Sequence, residues 1–194
     1  MTSPGRELII GDWSLPEFEY LQNCSWYFTE KIDGTNVRVM WNGQDVMFAG
    51  RTDRAQMLTK LLARLQERFR DKVLLGKVLA EGPVCLYGEG YGAGIQGVGG
   101  MYGAGQDFIL FDVKYGDTWL RREDVEDIAL KLGLKSVPII GRGTLGNACS
   151  TVKYGLHSQV GISLAEGLVV RPAVELLTRR GARVIAKIKS RDFR

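Results

Sequence analysis

Cysteine is scarce in this chain of 194 residues, with only Cys24, Cys85 and Cys149. They are odd in number, far apart and in no Cys-x-x-Cys spacing. That argues against a disulfide scaffold and makes a reducing cytosol the natural compartment. Histidine is scarcer still. His157 is the single one, so a zinc centre lacks ligands and a Ser-His-Asp triad lacks material. No run approaches the ~18 consecutive apolar residues of a membrane span. The opening Met1-Thr2-Ser3-Pro4-Gly5-Arg6-Glu7 has no apolar signal-peptide core, and no membrane partner is expected. Internal repeats and linker-like stretches are missing too. What is present, 45% apolar and 25% charged residues, is the make-up of a globular protein, long enough for one well-buried domain and too short for two ample ones.

The net charge of +4 is mild, but it is unevenly spread. Near the end stand Arg179, Arg180, Arg183, Lys187, Lys189, Arg191 and Arg194 against the single acid Asp192. Such a stretch suits a polyanion, or else a solvated basic tail.

Hydrophobic spacing gives the elements. Residues 26–28 and 37–41 alternate as strands do, with Asp33-Gly34-Thr35 as a turn between them, which predicts an exposed Lys31 on a loop at a strand end. Leu58, Leu61, Leu62, Leu65 and Phe69 fall on one face of a helix over 55–70, whose Lys60, Arg64, Arg68 and Arg70 read as a solvated face. A second helix is predicted over 121–132 with Gly133 as a left-handed cap, and a third over 145–156. Strands are predicted at 84–89, 108–114, 166–171 and 183–190. Without regular β-α-β alternation, this order argues for an α+β fold with largely antiparallel sheets. Glycine crowds the segment from Gly88 to Gly105. Within it, Gly92-Ala93-Gly94-Ile95-Gln96-Gly97 fits Gly-x-Gly-x-x-Gly. A dinucleotide site would need a helix next, and Val98-Gly99-Gly100-Met101-Tyr102-Gly103 cannot start one. A mobile loop that lets backbone approach a ligand is the better account.

Three short motifs carry the chemistry. Lys31-Ile32-Asp33-Gly34 offers an amine beside a tight turn, in which Asp33 either orients the amine or holds the turn. Glu166-Gly167-Leu168-Val169-Val170 puts a carboxylate at the mouth of an apolar strand. Lys187-Ile188-Lys189 points two ammonium groups to one face. Each alone is common and would read as surface charge or a strand end. Together and in this order, they are the parts needed to move a nucleotidyl group from a triphosphate onto a lysine.

The ordered set resembles the covalent nucleotidyltransferase superfamily, and within it the ATP-dependent RNA ligases of the RNA ligase 2-like branch. The resemblance runs from Trp26 to Lys189 through Glu30-Lys31-Ile32-Asp33-Gly34-Thr35-Asn36, Gly50-Arg51, Leu86-Tyr87-Gly88-Glu89, Gly92-Ala93-Gly94-Ile95-Gln96 and Phe108-Ile109-Leu110-Phe111-Asp112. It implies a nucleotidyltransferase (ATP-grasp-like) fold of largely antiparallel sheets flanked by helices. It implies ATP as substrate, Lys31 as the nucleophile that becomes lysyl-AMP, and Lys187 and Lys189 on the α-phosphate. Glu166 would hold Mg2+ or Mn2+, Glu89 and Arg51 the ribose hydroxyls, and Phe111 the purine. Glu30, Ile32 and Asn36 complete the nucleotide set, with Glu30 near the base and Asn36 serving later steps, and Arg171 would reach a phosphate. The implied partner is RNA, or DNA, with 5′-phosphate and 3′-hydroxyl ends. Relatives continue past Lys-x-Lys into an oligonucleotide-binding or helical domain. For residues 1–194 the expectation is therefore a single adenylation domain without that addition, able to adenylylate itself and to bind nucleic acid mainly through phosphates, with a partner protein as a further source of nucleic-acid binding. A DNA ligase, a capping enzyme and a non-catalytic nucleic-acid-binding module are the alternatives.

Overall fold

Alternation decides which side of each strand is buried, and two separate cores result. The computed structural model describes residues 8–193. The signal-peptide reading of residues 1–7 and the last basic residue, Arg194, fall outside the described residues. The chain divides into two compact units, one formed up to Ile32 and from Pro138 onward, the other by Asp33–Val137.

The first unit opens with α1 (Pro16–Leu21) and β1 (Trp26–Lys31). The second then contributes β2 (Thr35–Trp41), β3 (Val46–Ala49), α2 (Thr59–Arg68), α3 (Lys72–Leu79), β4 (Val84–Gly92), β5 (Gln106–Tyr115), β6 (Thr118–Trp119), α4 (Arg122–Lys131) and β7 (Lys135–Ser136). The first resumes with β8 (Ile139–Gly143), α5 (Leu145–Lys153), β9 (Gly167–Pro172) and β10 (Ala186–Lys189). Its sheet has the order β10-β9-β1-β8, and the other β3-β2-β4-β5-β6. Both are antiparallel, apart from β7, which pairs parallel with β5.

In the second unit Val37, Val39, Trp41, Leu86, Phe108, Leu110 and Val113 pack on Leu61 and Leu65 of α2, on Phe69, and on Val125 and Ala129 of α4. In the first, Trp26, Phe28, Leu168, Val170 and Ile188 pack on α5 through Leu145, Ala148, Cys149 and Val152, and on Phe18 of α1. Each large side chain so buried stabilises by roughly 1.5–3 kcal/mol.

The α+β, antiparallel character is as expected, and several details differ. Strands β1 and β2 flank the expected turn, but they enter different sheets and do not pair. Lys31 is the last residue of β1 rather than part of a loop, and its side chain is only 18% exposed. Helix α2 begins at Thr59, since Leu58 is extended and merely lends its carbonyl to Leu62. The basic face of α2 is not simply solvated either. Lys60 and Arg70 are exposed, but Arg64 and Arg68 both reach Asp107 on β5, at 3.4 and 2.6 Å. Helices α1 and α3 escaped the periodicity reading because they are short, at 6 and 8 residues. Their local signals are Pro16 in the first turn of α1 and an Asp71 side chain that caps Leu74 N–H ahead of α3. Gly133 does adopt a left-handed φ of +63° after α4.

The Asp107 contact has a pH signature. Burial alone would raise the Asp107 carboxyl, but hydrogen bonds from Arg68, from the Phe108 N–H and from Arg64 outweigh it and hold the group below its ordinary 3.8. A depressed folded value means the stabilisation is present above the unfolded value and fades as pH falls through the folded one. Asp107→Asn should therefore lower the melting temperature at pH 7. The gap to the parent should narrow below about pH 4, as thermal scans across pH would show.

Candidate active site

Register assembles the first cluster. In β1, Trp26, Phe28 and Glu30 are buried, so Tyr27, Thr29 and Lys31 occupy the opposite side. Lys31 lies opposite Gly167 of β9, and Gly167 opposite Lys189 of β10. One row across three strands thus carries both lysines, with Glu166 one residue before β9. The Lys31 ammonium donates to Glu166 Oε2, and Lys189 Nζ lies 3.3 Å from Glu166 Oε1. All three side chains are partly buried, at 18%, 20% and 27% exposed for Lys31, Glu166 and Lys189. Lys187 shares their face through the period-two alternation, is exposed, and pairs with no carboxylate among the described residues. A carboxylate bridging two ammonium groups, with a third cation close by, is an anion-receiving site whose one acid can also face a cation.

Gly167 makes that row possible. A Cβ there would run into the Ile188 carbonyl and stand 2.8 Å from Lys189 Cα, and its φ of +155° suits only glycine. Gly167→Ala should push β10 away from β9 and part Lys189 from Glu166. Strain of this kind costs about 1–3 kcal/mol, readable as a lower melting temperature with weakened triphosphate binding.

Glu30 points the other way. It is 1% exposed and takes hydrogen bonds from the Ser158 hydroxyl and from Gln159 N–H at 2.8 Å. Its carboxylate thus ties β1 to the loop that leads into Glu166, a role Ser158 gave no sign of in the sequence. Ile32 is buried at 4% exposure.

The second unit places Asn36, Glu89 and Phe111 on its sheet away from its own core, and Arg51 in the bend after β3. Asn36 of β2 is directly opposite Glu89 of β4. Tyr87 is on the same side, its hydroxyl pushed up to about 12 by burial and by Cys85, so it stays protonated at neutral pH. Phe111 stands at a bulge. Gly88 pairs with Leu110 and Tyr87 with Asp112, leaving Phe111 as the extra residue. Phe108, Leu110 and Val113 enter the core while Phe111 stays half-buried outside it. Arg38 donates to the Gly50 carbonyl at 2.9 Å and to Asp53 at 2.6 Å, fixing the bend that carries the exposed Arg51.

The Gly-rich segment is anchored where the sequence suggested mobility. After β4 it forms turns and a 3₁₀ turn at Gly99–Tyr102, with no α-helix. Gln96 Nε2 donates to the Gly34 carbonyl at 3.0 Å, and Asp33 N–H donates to the Tyr102 hydroxyl at 3.0 Å. Two loop residues therefore clamp the turn after the Lys-x-Asp-Gly lysine. Gly34 is required there because a Cβ would strike the Gly90 carbonyl and stand 2.8 Å from Glu89 Cγ.

Among the described residues no three His, Cys, Asp or Glu side chains gather as a metal cage. A lone carboxylate still fits magnesium or manganese that arrives with phosphate, since such ions keep waters and take one or two carboxylates beside substrate phosphates.

A family model for RNA ligase matches residues 25–189, which includes every residue of both clusters. The chain belongs to the RNA ligase family. Comparison with curated proteins finds no match. Among solved structures, Naegleria gruberi RNA ligase with pyrophosphate is 21% identical with a TM-score of 0.70, covering 92% of this chain and 53% of that one. A lysine-to-methionine variant of that enzyme with AMP and manganese is 20% identical at 0.69 over the same shares. A lysine-to-alanine variant with ATP and manganese is 20% identical at 0.70, covering 92% and 52%. The nucleotidyltransferase fold of this RNA ligase family member is thus shown, and the chain spans about half the length of these solved relatives.

Proposed function

We propose that this RNA ligase family member is an ATP-dependent ligase that works through a covalent lysyl-AMP, and that residues 1–194 act as one adenylation domain. The observation that carries the reading is the Lys31–Glu166–Lys189 row, an amine and a second cation held on one carboxylate by strand register. Lys189 and Lys187 receive the triphosphate and balance charge as it develops on the α-phosphate. Phosphate entering between the two lysines frees the Lys31 amine, and Glu166 Oε2 is the acceptor nearest its proton. The Lys31 nitrogen attacks the α-phosphorus, an N–P bond forms, and pyrophosphate leaves with the broken P–O bond. Glu166, together with the phosphates, would hold magnesium or manganese, which would supply further charge neutralisation. Glu89, Arg51 and Phe111 hold the ribose and the purine. A 5′-phosphate oxygen then takes the AMP from Lys31, and a 3′-hydroxyl displaces AMP to close the strand.

RNA is the favoured substrate on family membership, with DNA the second choice. A partner protein supplying nucleic-acid binding remains part of the proposal. The test is incubation with ATP or GTP labelled at the α-phosphate, with magnesium or manganese, followed by denaturing electrophoresis. An acid-labile label from ATP and little from GTP is expected. Labelling by GTP alone would turn the reading to a capping enzyme, and none from either nucleotide to a binding module.

A further inference from the structure

The lysine row is only one end of a cationic face. Two rows along β1 from Lys31, Tyr27 is opposite Arg142 of β8 on one side and Arg171 of β9 on the other. Tyr27 and Arg171 share the parity of Lys31 and Lys187, so all four belong to the face turned from the unit's own core. The Arg142 guanidinium sits 4.0 Å from the Tyr27 ring centre and donates to the Tyr27 hydroxyl at 2.5 Å. Among the described residues no carboxylate pairs with Arg142, which is exposed on β8. None of the strand residues on this face is acidic, and Glu166 stands only at its far end. A guanidinium held over a tyrosine ring and on its hydroxyl is restrained in position, so it loses less freedom when it meets a second ligand. At about 3.4 Å per residue, Tyr27 lies on the order of 13 Å along the strand from Lys31.

We infer that the Arg142–Tyr27–Arg171 row is a binding site for the polynucleotide strand, with the two guanidinium groups on backbone phosphates and the outer plane of Arg142 open to stack a base. The inference rests on the ligase reading for its choice of strand. A nucleoside triphosphate held at Lys31 would not need cations so far along the sheet. A polyanionic chain leading up to the nucleophile would.

The probe is a short 5′-phosphorylated oligoribonucleotide, with binding measured by fluorescence anisotropy between 50 and 200 mM salt. Arg142→Ala should weaken binding on the order of tenfold and make the salt dependence shallower by about 0.7 in log-log slope, the share of one single-strand phosphate contact. Arg142→Lys keeps the charge and loses the stacked plane, so it should restore the slope and only part of the affinity. Tyr27→Phe, which removes the 2.5 Å hydroxyl contact, should fall between parent and Arg142→Ala. Melting temperatures show that each variant folds. Unchanged affinity and slope in both Arg142 variants would overturn the site. Labelling by ATP is read in parallel on the parent. A parent that binds oligonucleotide through Arg142 without labelling would keep this site and sink the ligase reading instead.

Discussion

Lys31→Arg should give a folded protein that takes no label from ATP. The guanidinium can still pair with Glu166, so the row across β1, β9 and β10 keeps its charge balance. With a pKa above about 12 it cannot supply a free amine. Lys31→Ala should be equally inert. The informative second readout is an RNA whose 5′ end is already adenylylated, with a 3′-hydroxyl end beside it. That reaction needs no new N–P bond, so both variants should retain a substantial part of the parent's sealing rate. Loss of labelling with retained sealing would confine Lys31 to formation of the lysyl-AMP. Undiminished labelling in either variant would mean that the nucleophile is another residue.

Much of this site was legible because its parts are short motifs on strands, where alternation alone settles the face. Lys187 and Lys189 on one side and Ile188 on the other follow from period two, and the structure buries Ile188 at 4% exposure. Which strands neighbour each other is a different matter. Residues 31, 166 and 189 are joined by a sheet order of β10-β9-β1, which no local pattern encodes. The turn signal at Asp33-Gly34-Thr35 marks where one strand ends and the next begins and says nothing of their pairing, and β1 and β2 lie in different sheets. The Phe111 bulge was likewise invisible, because one extra residue changes parity without changing composition. The loop rich in glycine read as mobile, and only the fold shows Gln96 and Tyr102 returning to the Asp33–Gly34 backbone. Ser158 had no motif to mark it. Its importance lies entirely in the buried Glu30 that it meets.

Glu166 is where the structural and the chemical accounts of the row part most sharply. If its only work were to bridge Lys31 and Lys189, removing it would act on stability. Exposed ion pairs contribute typically about 0.2–1 kcal/mol and loss of a partner from a fully buried pair costs about 3–5 kcal/mol, and at 18–27% exposed this row stands between the two. Glu166→Gln should therefore melt within a few degrees of the parent, since the amide still offers Lys31 an acceptor in the same place. It can neither take the ammonium proton nor hold a divalent cation against the phosphates. Removing a single group that acts in the transition state costs about 100- to 1000-fold, and Glu166→Gln and Glu166→Ala should both show that loss in single-turnover labelling by ATP. Raising magnesium should not recover it, because the missing charge belongs to the protein. Near-parental labelling by Glu166→Gln would make Glu166 a strut for two lysines. A melting temperature that falls in step with labelling would say the same. Loss of labelling at unchanged stability would assign the carboxylate to the reaction itself.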